Sequence, residues 1–270
     1  MQITNEPGIL FESVVLDSVF LDRPVIVDFY YPQAAGSESL SLLLINDGQD
    51  MPKMHFSSIL GAFYQQYEQA RPLFCAAIHC SANRKQEYGV AGVPDYLGRG
   101  AKAGQHTRFV LHELLPYIYK RFPFVSMTDK SFAGFSLGGL SAFDIVWSHP
   151  GEFTRAGVFS GSLWWRSVDQ VDKEYDDDKH RIIHQQVRKG RYHPGLKFFF
   201  QCGNMDETKD RNKNGIIDSI DDTLDLVKEL EGKGYSQPED IYYLELSDGR
   251  HDVPTWGRAM PYFLEWGWGG

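Results

Sequence analysis

The segment AGFSLGG, residues 133–139, places glycines two positions before and two positions after Ser136. A short apolar run, KSFAGF, leads into this serine, and a helical pattern from Leu137 to Ser148 follows it. The pattern Gly-x-Ser-x-Gly between a strand and a helix is typical of a nucleophile elbow, whose serine adopts a strained backbone conformation. A chance match or a helix-capping serine is the alternative for the motif alone. Its position favours the elbow, and we expect a side chain at Gly134 or Gly138 to collide across the turn.

A serine hydroxyl is a weak nucleophile at neutral pH and needs a base within hydrogen-bond reach. In elbow-type hydrolases the serine comes first along the chain, then an acid, then a histidine. Of the five histidines after the serine, only His251 directly follows a predicted strand. The others end the serine's helix or lie in or beside a charged stretch: His149, His180, His184 and His193. We therefore expect His251 to be the general base.

The acid that orients this histidine should follow the preceding predicted strand, LKFFFQCGNMDE. Asp206 lies closest to the strand end, and Glu207 and Asp210 are the alternatives. Two backbone N–H groups would stabilise the oxyanion that forms on the substrate. We expect one at Leu137, the residue after the nucleophile, and the other at Gln49, in the Asp-Gly turn after the apolar run LSLLLIND.

The remaining sequence must position these groups. Apolar runs alternate with amphipathic segments, which predicts an α/β fold with a mostly parallel sheet and helices on both faces. ILFESVVL and IVDFYYP predict an antiparallel N-terminal edge, and the spacing of apolar residues predicts a helix from His106 to Phe122. We expect one domain over residues 1–270, with a cap-like excursion at about 166–193. A solvated surface helix is the alternative for that charged stretch.

The composition restricts the class of partner. The formal net charge is -9 and the pI is near 5.5, which disfavours nucleic acid and anionic membrane surfaces. The N-terminus, MQITNEPGILFES, has no signal-peptide pattern, so we expect a cytoplasmic protein, or a periplasmic or secreted one if a leader was removed. Three cysteines without metal-site spacing predict buried thiols. The expected partner is a small-molecule or carbohydrate ester, and the oligomeric state stays open.

On these residues the chain resembles the putative esterase family, which includes esterase D, enterochelin esterases, feruloyl and acetyl esterase domains and mycolyltransferases. The resemblance covers nearly the whole chain, through INDGQD, NRKQEY, GFSLGG, HPGEF, FSGSLWW, CGNMDE and GRHDVPTW. It implies an α/β-hydrolase fold. It also supports Asp206 and His251, because family members place the acid in CG-x-x-D and the histidine in G-x-HD-x-x-x-W. The family's oxyanion donor follows an Asp-Gly turn, which supports Gln49.

The resemblance further implies a substrate groove. Its expected border residues are Asp47, Arg84, Glu87, Tyr88, Trp164 and Trp165. An Arg84–Glu87 ion pair that only ties down a loop is the alternative for that segment. Of the two tryptophans, we expect one to face the cleft and the other to pack in the core.

A second pattern, DRNKNGIIDSID, has the spacing of a calcium-binding loop. Its oxygen ligands would come from Asp210, Asn212, Asn214, the carbonyl of Ile216, Asp218 and Asp221. An aspartate replaces the usual glutamate at the last position, which shortens its reach. An Asn-Gly turn leading into a helix with Ser219 as N-cap is the alternative. A structural Ca2+ would stiffen the loop that follows the acid.

The combined prediction is a serine esterase that cleaves carboxylic esters through an acyl-enzyme and needs no cofactor for the chemistry. Acylated sugars and aryl esters are candidate substrates. An acyltransferase of the mycolyltransferase type is one alternative, since an alcohol can replace water in the second step. A non-catalytic carbohydrate or ligand binder with a hydrolase fold is the other.

Overall fold

The computed structural model describes residues 2–3, 8–33 and 40–270 of the chain. Within these ranges, nine strands form one sheet. The strands are β1 (Gln2–Ile3), β2 (Ile9–Ser18), β3 (Arg23–Pro32), β4 (Leu40–Asn46), β5 (Leu73–Ile78), β6 (Val125–Phe135), β7 (Arg155–Phe159), β8 (Lys197–Met205) and β9 (Ile241–Arg250). Their order across the sheet is β1-β2-β3-β5-β4-β6-β7-β8-β9.

The sheet is parallel except at its N-terminal edge. Strands β5, β4, β6, β7, β8 and β9 run parallel, whereas β1, β2, β3 and β5 pair antiparallel in that order. Every residue of β4 and β5 is buried, as expected for apolar strands covered on both faces. In β2, more and less exposed residues alternate along much of the strand, which is typical of a sheet edge. The predicted fold class is confirmed.

Helices cover both faces of the sheet. They are α1 (Phe56–Gln66), α2 (Arg84–Glu87), α3 (Ala103–Phe109), α4 (Leu115–Arg121), α5 (Leu137–Ser148), α6 (Asp177–His180), α7 (Ile182–Lys189), α8 (Asp218–Lys233) and α9 (Val253–Trp268). Helices α1 and α9 pack on one face, and α3, α4, α5, α7 and α8 contribute to the apolar core on the other. No helix in the described part of the chain combines the length and apolar character that crossing a bilayer requires.

The helix predicted from His106 to Phe122 begins earlier, at Ala103, and changes its winding. Residues Val110–Leu114 form a π-helical turn between α3 and α4. Pro116 follows this turn, and because proline has no N–H it cannot continue the regular hydrogen-bond pattern. Apolar spacing thus located the helix but not its start or its irregularity.

The excursion at 166–193 contains α6 and α7 and is joined to α8 by charged contacts. Arg181 donates to Asp222 and Asp225 at 2.9 Å each. One face of α7 is buried, including Ile183 and Val187. A freely solvated surface helix therefore does not describe this segment.

Candidate active site

Ser136 lies between the end of β6 and the start of α5, with φ 54° and ψ −118°. A positive φ is uncommon for a residue with a side chain, and the surrounding contacts must impose it. The N–H of Ser136 donates to the carbonyl of Phe159 at 2.8 Å, and its own carbonyl accepts from the N–H of Ser162 at 3.0 Å. The end of β7 and the segment after it therefore anchor the backbone of this serine on both sides.

The glycines of the elbow, residues 134–138, are explained by two different close approaches. A Cβ on Gly134 would lie 2.3 Å from the carbonyl oxygen of Gly138, which is the predicted collision across the turn. A Cβ on Gly138 would instead lie 2.5 Å from Oδ2 of Asp47. The prediction for Gly138 is therefore wrong in its detail, because the obstacle is the residue after β4 and not the other arm of the turn.

Asp206 and His251 are brought to the same edge of the sheet by strand register. Met205 of β8 pairs with Arg250 of β9 in the parallel ladder. Asp206 and His251 are the residues that follow this pair, so they leave adjacent strands at the same level. Strand β7 alone separates β8 from β6, which carries Ser136 at its own carboxyl end.

Asp206 has one satisfied and one unsatisfied carboxylate oxygen. Oδ2 accepts from the N–H of Gly203 at 3.1 Å, whereas Oδ1 is buried without a hydrogen-bond partner among the described residues. Burial raises the pKa of Asp206, and the Gly203 N–H, the Ser160 hydroxyl and the nearby His251 act in the opposite direction. A buried acceptor without a donor is costly, and an imidazole N–H from His251 would satisfy it.

The two alternative acids occupy other environments. The carboxyl group of Glu207 has its pKa raised by burial and by the charge of Asp218. Asp210 accepts from the N–H groups of Asn214 and Gly215. Only Asp206 among these three acids contributes to the electrostatic environment of His251. The geometry thus favours Asp206.

His251 lies against the edge of Trp256, with ring centroids 5.4 Å apart. Trp256 also stacks on Phe135, the residue before the serine, with ring centroids 5.1 Å apart. Partial burial lowers the pKa of His251, Asp206 opposes this shift, and the charge of Arg84 lowers it further. The aromatic pair therefore links the histidine to the elbow.

The hydroxyl of Ser136 lies 3.3 Å from that of Ser162 and, within the described residues, forms no hydrogen bond with His251. Such contacts are often long or unformed until a substrate binds. The three predicted residues thus lie at the carboxyl ends of β6, β8 and β9, along one edge of the sheet. Sequence reasoning missed Ser162, for which the Ser-Gly-Ser sequence directly after β7 was the available signal.

Both expected oxyanion donors lie at helix starts. Leu137 is the first residue of α5, and Gln49 lies in a 3-10 turn over Gly48–Asp50. The first N–H groups of a helix have no acceptor within the helix, so they are available to a substrate oxygen. The side-chain oxygen of Gln49 accepts from the N–H of Cys80 at 3.1 Å, which fixes this turn against the end of β5.

The expected groove residues separate into two groups. Arg84 binds the carboxylate of Asp47 through two hydrogen bonds of 2.7 Å, and both lie next to the elbow. Glu87 and Tyr88 are each only 1% exposed, so the expectation that they border a groove is wrong. The alternative Arg84–Glu87 pair is also wrong, because Glu87 pairs with Arg23 at 2.6 Å.

The two tryptophans lie in different environments, and Trp165 does not border a groove. Trp165 is fully buried and donates from its indole N–H to the carbonyl of Val93 at 3.2 Å. Trp164 is half-buried and lines a cavity of about 420 Å3, together with Arg99, Arg166, Glu207 and Lys209. None of the candidate catalytic residues lines this cavity, but Glu207 directly follows Asp206 in the chain and Trp164 comes two residues after Ser162.

The predicted calcium loop directs several oxygen-bearing side chains toward one another. The amides of Asn212 and Asn214 both donate to Oδ2 of Asp221 at 2.8 Å, and Asp210 accepts from two backbone N–H groups of the loop. Asp218 is bound to Arg211 instead. In the described part of the chain, no group of three or more His, Cys, Asp or Glu side chains could hold a metal ion. A cation here would therefore need asparagine and carbonyl oxygens in addition to the carboxylates.

The helix after this loop begins two residues earlier than the alternative interpretation predicted. Asp218 is the first residue of α8 and Ile217 is its N-cap, so the assignment of Ser219 as N-cap is wrong. The N–H of Asp218 donates to the carbonyl of Lys209 at 2.8 Å, and this contact across the loop fixes the helix start.

Comparison with known proteins places these features in a family. The family model described as "Putative esterase" matches residues 18–266. An enterobactin esterase from Shigella flexneri is 20% identical, with a TM-score of 0.70, over 94% of this chain and 58% of that chain. A ferulic acid esterase is 17% identical, with a TM-score of 0.70, over 96% and 97% of the two chains. An IroE-like serine hydrolase from Shewanella oneidensis is 19% identical, with a TM-score of 0.68, over 95% and 80%.

These structural likenesses show that the chain has an α/β-hydrolase fold. The chain spans less than two thirds of the length of the enterobactin esterase that it matches. No curated protein sequence matches it.

Proposed function

The chain belongs to the putative esterase family, and we propose that it is a serine esterase that hydrolyses carboxylic esters through an acyl-enzyme. The observation that carries this proposal is the backbone of Ser136, which is held at φ 54° at the junction of β6 and α5. Strain of this kind costs about 1 to 3 kcal/mol and concentrates at functional sites. The adjacent positions of Asp206 and His251 at the ends of β8 and β9 support it.

In this proposal each residue has one role. Ser136 attacks the ester carbonyl while His251 accepts the hydroxyl proton, and the departing alcohol receives that proton. Asp206 orients the imidazole and stabilises its charged form. The N–H groups of Leu137 and Gln49 stabilise the oxyanion. Water, activated by His251, then attacks the acyl-enzyme and releases the carboxylic acid product and free Ser136. No cofactor takes part.

The cavity lined by Trp164 and Glu207 is the proposed site for the non-reacting part of the ester. Trp164 offers an aromatic surface, and Arg99, Arg166 and Lys209 offer hydrogen-bond donors. An aryl group or a sugar fits this combination of lining residues. Two structural neighbours, an enterobactin esterase and a ferulic acid esterase, are themselves esterases.

A fluorophosphonate probe tests the nucleophile directly. We expect the probe to label the wild-type protein and Ser162→Ala but not Ser136→Ala. Ser162 is the matched control because its hydroxyl lies 3.3 Å from that of Ser136. Labelling that survives in Ser136→Ala and disappears in Ser162→Ala would show that Ser162, and not Ser136, is the nucleophile. A wild type that is not labelled would favour a non-catalytic ligand binder.

A substrate panel tests the chemistry. Nitrophenyl esters, feruloyl sugars and acetylated xylan should yield free acid, with product formation abolished in Ser136→Ala. Hydrolysis and transfer are distinguished by adding glycerol or a sugar as acceptor. Predominant formation of the acylated acceptor would replace the hydrolase proposal by an acyltransferase.

A further inference from the structure

One guanidinium joins the two segments that carry the proposed oxyanion donors. Arg84 donates from Nε and Nη2 to the two oxygens of Asp47, at 2.7 Å each. Its Nη2 also donates to the carbonyl of Phe135 at 3.1 Å. Asp47 precedes the Gly48–Asp50 turn, and Phe135 immediately precedes Ser136. A single side chain therefore fixes the Gln49 turn relative to the elbow.

The position of Asp47 leaves little freedom to this pair. Asp47 is 2% exposed and has φ 64° and ψ 43°, the left-handed region that non-glycine residues rarely adopt. Its carboxylate fills the space above Gly138, where a Cβ would lie 2.5 Å from Oδ2. Its N–H donates to the hydroxyl of Tyr88 at 3.3 Å. A buried carboxylate in this position needs a fixed positive partner, which Arg84 supplies.

Arg84 also places a positive charge near the proposed base. The charged groups that act on His251 are Asp206 and Asp252, which favour its protonated form, and Arg84, which disfavours it. Around the pair itself, the ring of Tyr88 lies 5.2 Å from the guanidinium, and the thiol of Cys80 adjoins Asp47. Burial lowers the pKa of His251 most, and the charge of Arg84 lowers it further.

We propose that Arg84 is a positioning residue for ester hydrolysis, which fixes the two oxyanion donors relative to each other through Asp47 and Phe135. Its charge adds to the effect of burial in lowering the pKa of His251. This inference rests on the proposed esterase function. It assigns Arg84 no contact with substrate, in contrast to the groove role expected from the sequence. Its geometric and electrostatic contributions can be separated, because lysine keeps the charge but cannot form the two-pronged contact.

The test compares three variants: Arg84→Met, Arg84→Lys and Arg23→Met. Arg23 is a matched control, because it also forms a two-pronged contact with a carboxylate. That carboxylate belongs to Glu87, which lies on the same short helix as Arg84. For each variant, kcat and KM are measured with a nitrophenyl ester, His251 is titrated by NMR, and thermal unfolding is followed.

We expect Arg84→Met to lower kcat about 100-fold, the order found on loss of an oxyanion donor, with KM changed less than about threefold. The titration of His251 should move to higher pH, because the cation that opposes protonation is gone. Arg84→Lys should titrate close to wild type yet still lose kcat. Arg23→Met should lower the melting temperature without affecting kcat or the titration.

Two results would overturn the inference. The first is an Arg84→Met enzyme whose kcat and His251 titration match those of Arg23→Met, which would make Arg84 a structural tie only. The second is an Arg84→Lys enzyme with full kcat, which would remove the geometric role, and this variant answers the question if Arg84→Met does not fold. An inactive wild type would refute the esterase proposal, whereas the NMR titration tests the effect of Arg84 on His251 without any activity.

Discussion

The elbow that carries Ser136 and the acid loop, residues 206–217, both leave the carboxyl ends of parallel strands, yet different contacts fix them. The elbow is fixed by backbone contact, since a Cβ on Gly134 would lie 2.3 Å from a carbonyl oxygen. The acid loop is fixed by charge, because Arg211 donates to Asp222 at 2.7 Å and to Asp177 at 3.0 Å. The stability of the elbow should therefore be sensitive to added side-chain volume, and that of the acid loop to the loss of a charge.

The difference matters for the proposed chemistry. A nucleophile must keep one strained conformation, and close packing of backbone on backbone at Gly134 contributes to this beside the contacts of Asp47 and Arg84. The acid has to be held against a neighbouring strand end by a loop of irregular structure. There, arginines from inside and outside the loop bind a buried carboxylate, Asp222, which is 1% exposed.

The largest effect is expected from Gly134→Ala. The added methyl group would meet the backbone of Gly138 and Gly139, which cannot move without displacing α5. We expect the free energy of unfolding to fall by about 4 kcal/mol or more, with loss of esterase activity. Denaturant unfolding measures this. Gly151→Ala is the control, because nothing lies within 4 Å of its Cβ position, and an equal loss there would contradict the steric explanation.

A slightly smaller effect is expected from Asp222→Asn. The variant neutralises the buried carboxylate that Arg181 and Arg211 share. The two guanidinium groups then keep only carboxylate partners that are more exposed or more distant than Asp222. Breaking such a contact should cost about 3 kcal/mol in denaturant unfolding. Asp178→Asn, which affects an exposed pair with Arg188, should cost less than about 1 kcal/mol. Equal costs for the two variants would show that charge does not fix the acid loop.

These two regions also differ in what the sequence could predict. The elbow, the mostly parallel sheet with its antiparallel edge, and the places of Asp206 and His251 after strands follow from local signals, namely turn glycines, apolar runs and chain order. The ion pairs do not. Arg84 binds Asp47 and not its helix neighbour Glu87, because the fold brings a residue 37 positions away into better geometry. Partners of long charged side chains depend on tertiary packing that periodicity does not encode.

Two buried histidines give each region its own response to pH. His106 contacts Asn46, whose amide donates to Gly138 of the elbow, and burial lowers the pKa of His106 to about 4. His184 contacts the carbonyl of Asp222, and burial, together with the charge of Arg181, lowers its pKa to about 3. Both are held neutral in the folded state, whereas the unfolded chain binds their protons below about pH 6.5.

The protein should therefore lose stability as the pH falls below about 6.5 and continue to lose it until each folded-state pKa is passed. Each histidine contributes about 1.4 kcal/mol per pH unit, or about 2 kcal/mol at pH 5. Urea unfolding at pH 7 and pH 5 measures this loss in wild type, His106→Gln and His184→Gln. The two histidines together set a combined loss of stability between pH 7 and pH 5, and each single variant should remove about half of that loss. An unchanged dependence in either variant would show that its histidine is not held neutral.

The smallest expected effect is that of calcium on the predicted calcium loop, residues 210–221, which overlaps the end of the acid loop. The amides of Asn212 and Asn214 converge on Asp221, so the side chains at loop positions 3, 5 and 12 already meet near one point. On calcium binding, each asparagine amide would rotate by a flip of its oxygen and nitrogen positions. The amide oxygens would then coordinate the ion in place of the present hydrogen bonds to Asp221. We expect calcium at ten times its Kd to stabilise the protein by about 1.4 kcal/mol, seen as a higher melting temperature.

Asp221→Ala and Asp218→Asn make this last test specific. Asp221 receives both asparagine amides, so its removal should abolish the calcium effect. Asp218 is already bound to Arg211, so Asp218→Asn should lower the starting stability but leave part of the calcium effect. If chelator and added calcium change neither the melting temperature nor the activity of the wild type, the metal prediction is wrong. The acid loop is then fixed by its ion pairs and asparagine contacts alone, which makes the contrast with the elbow sharper.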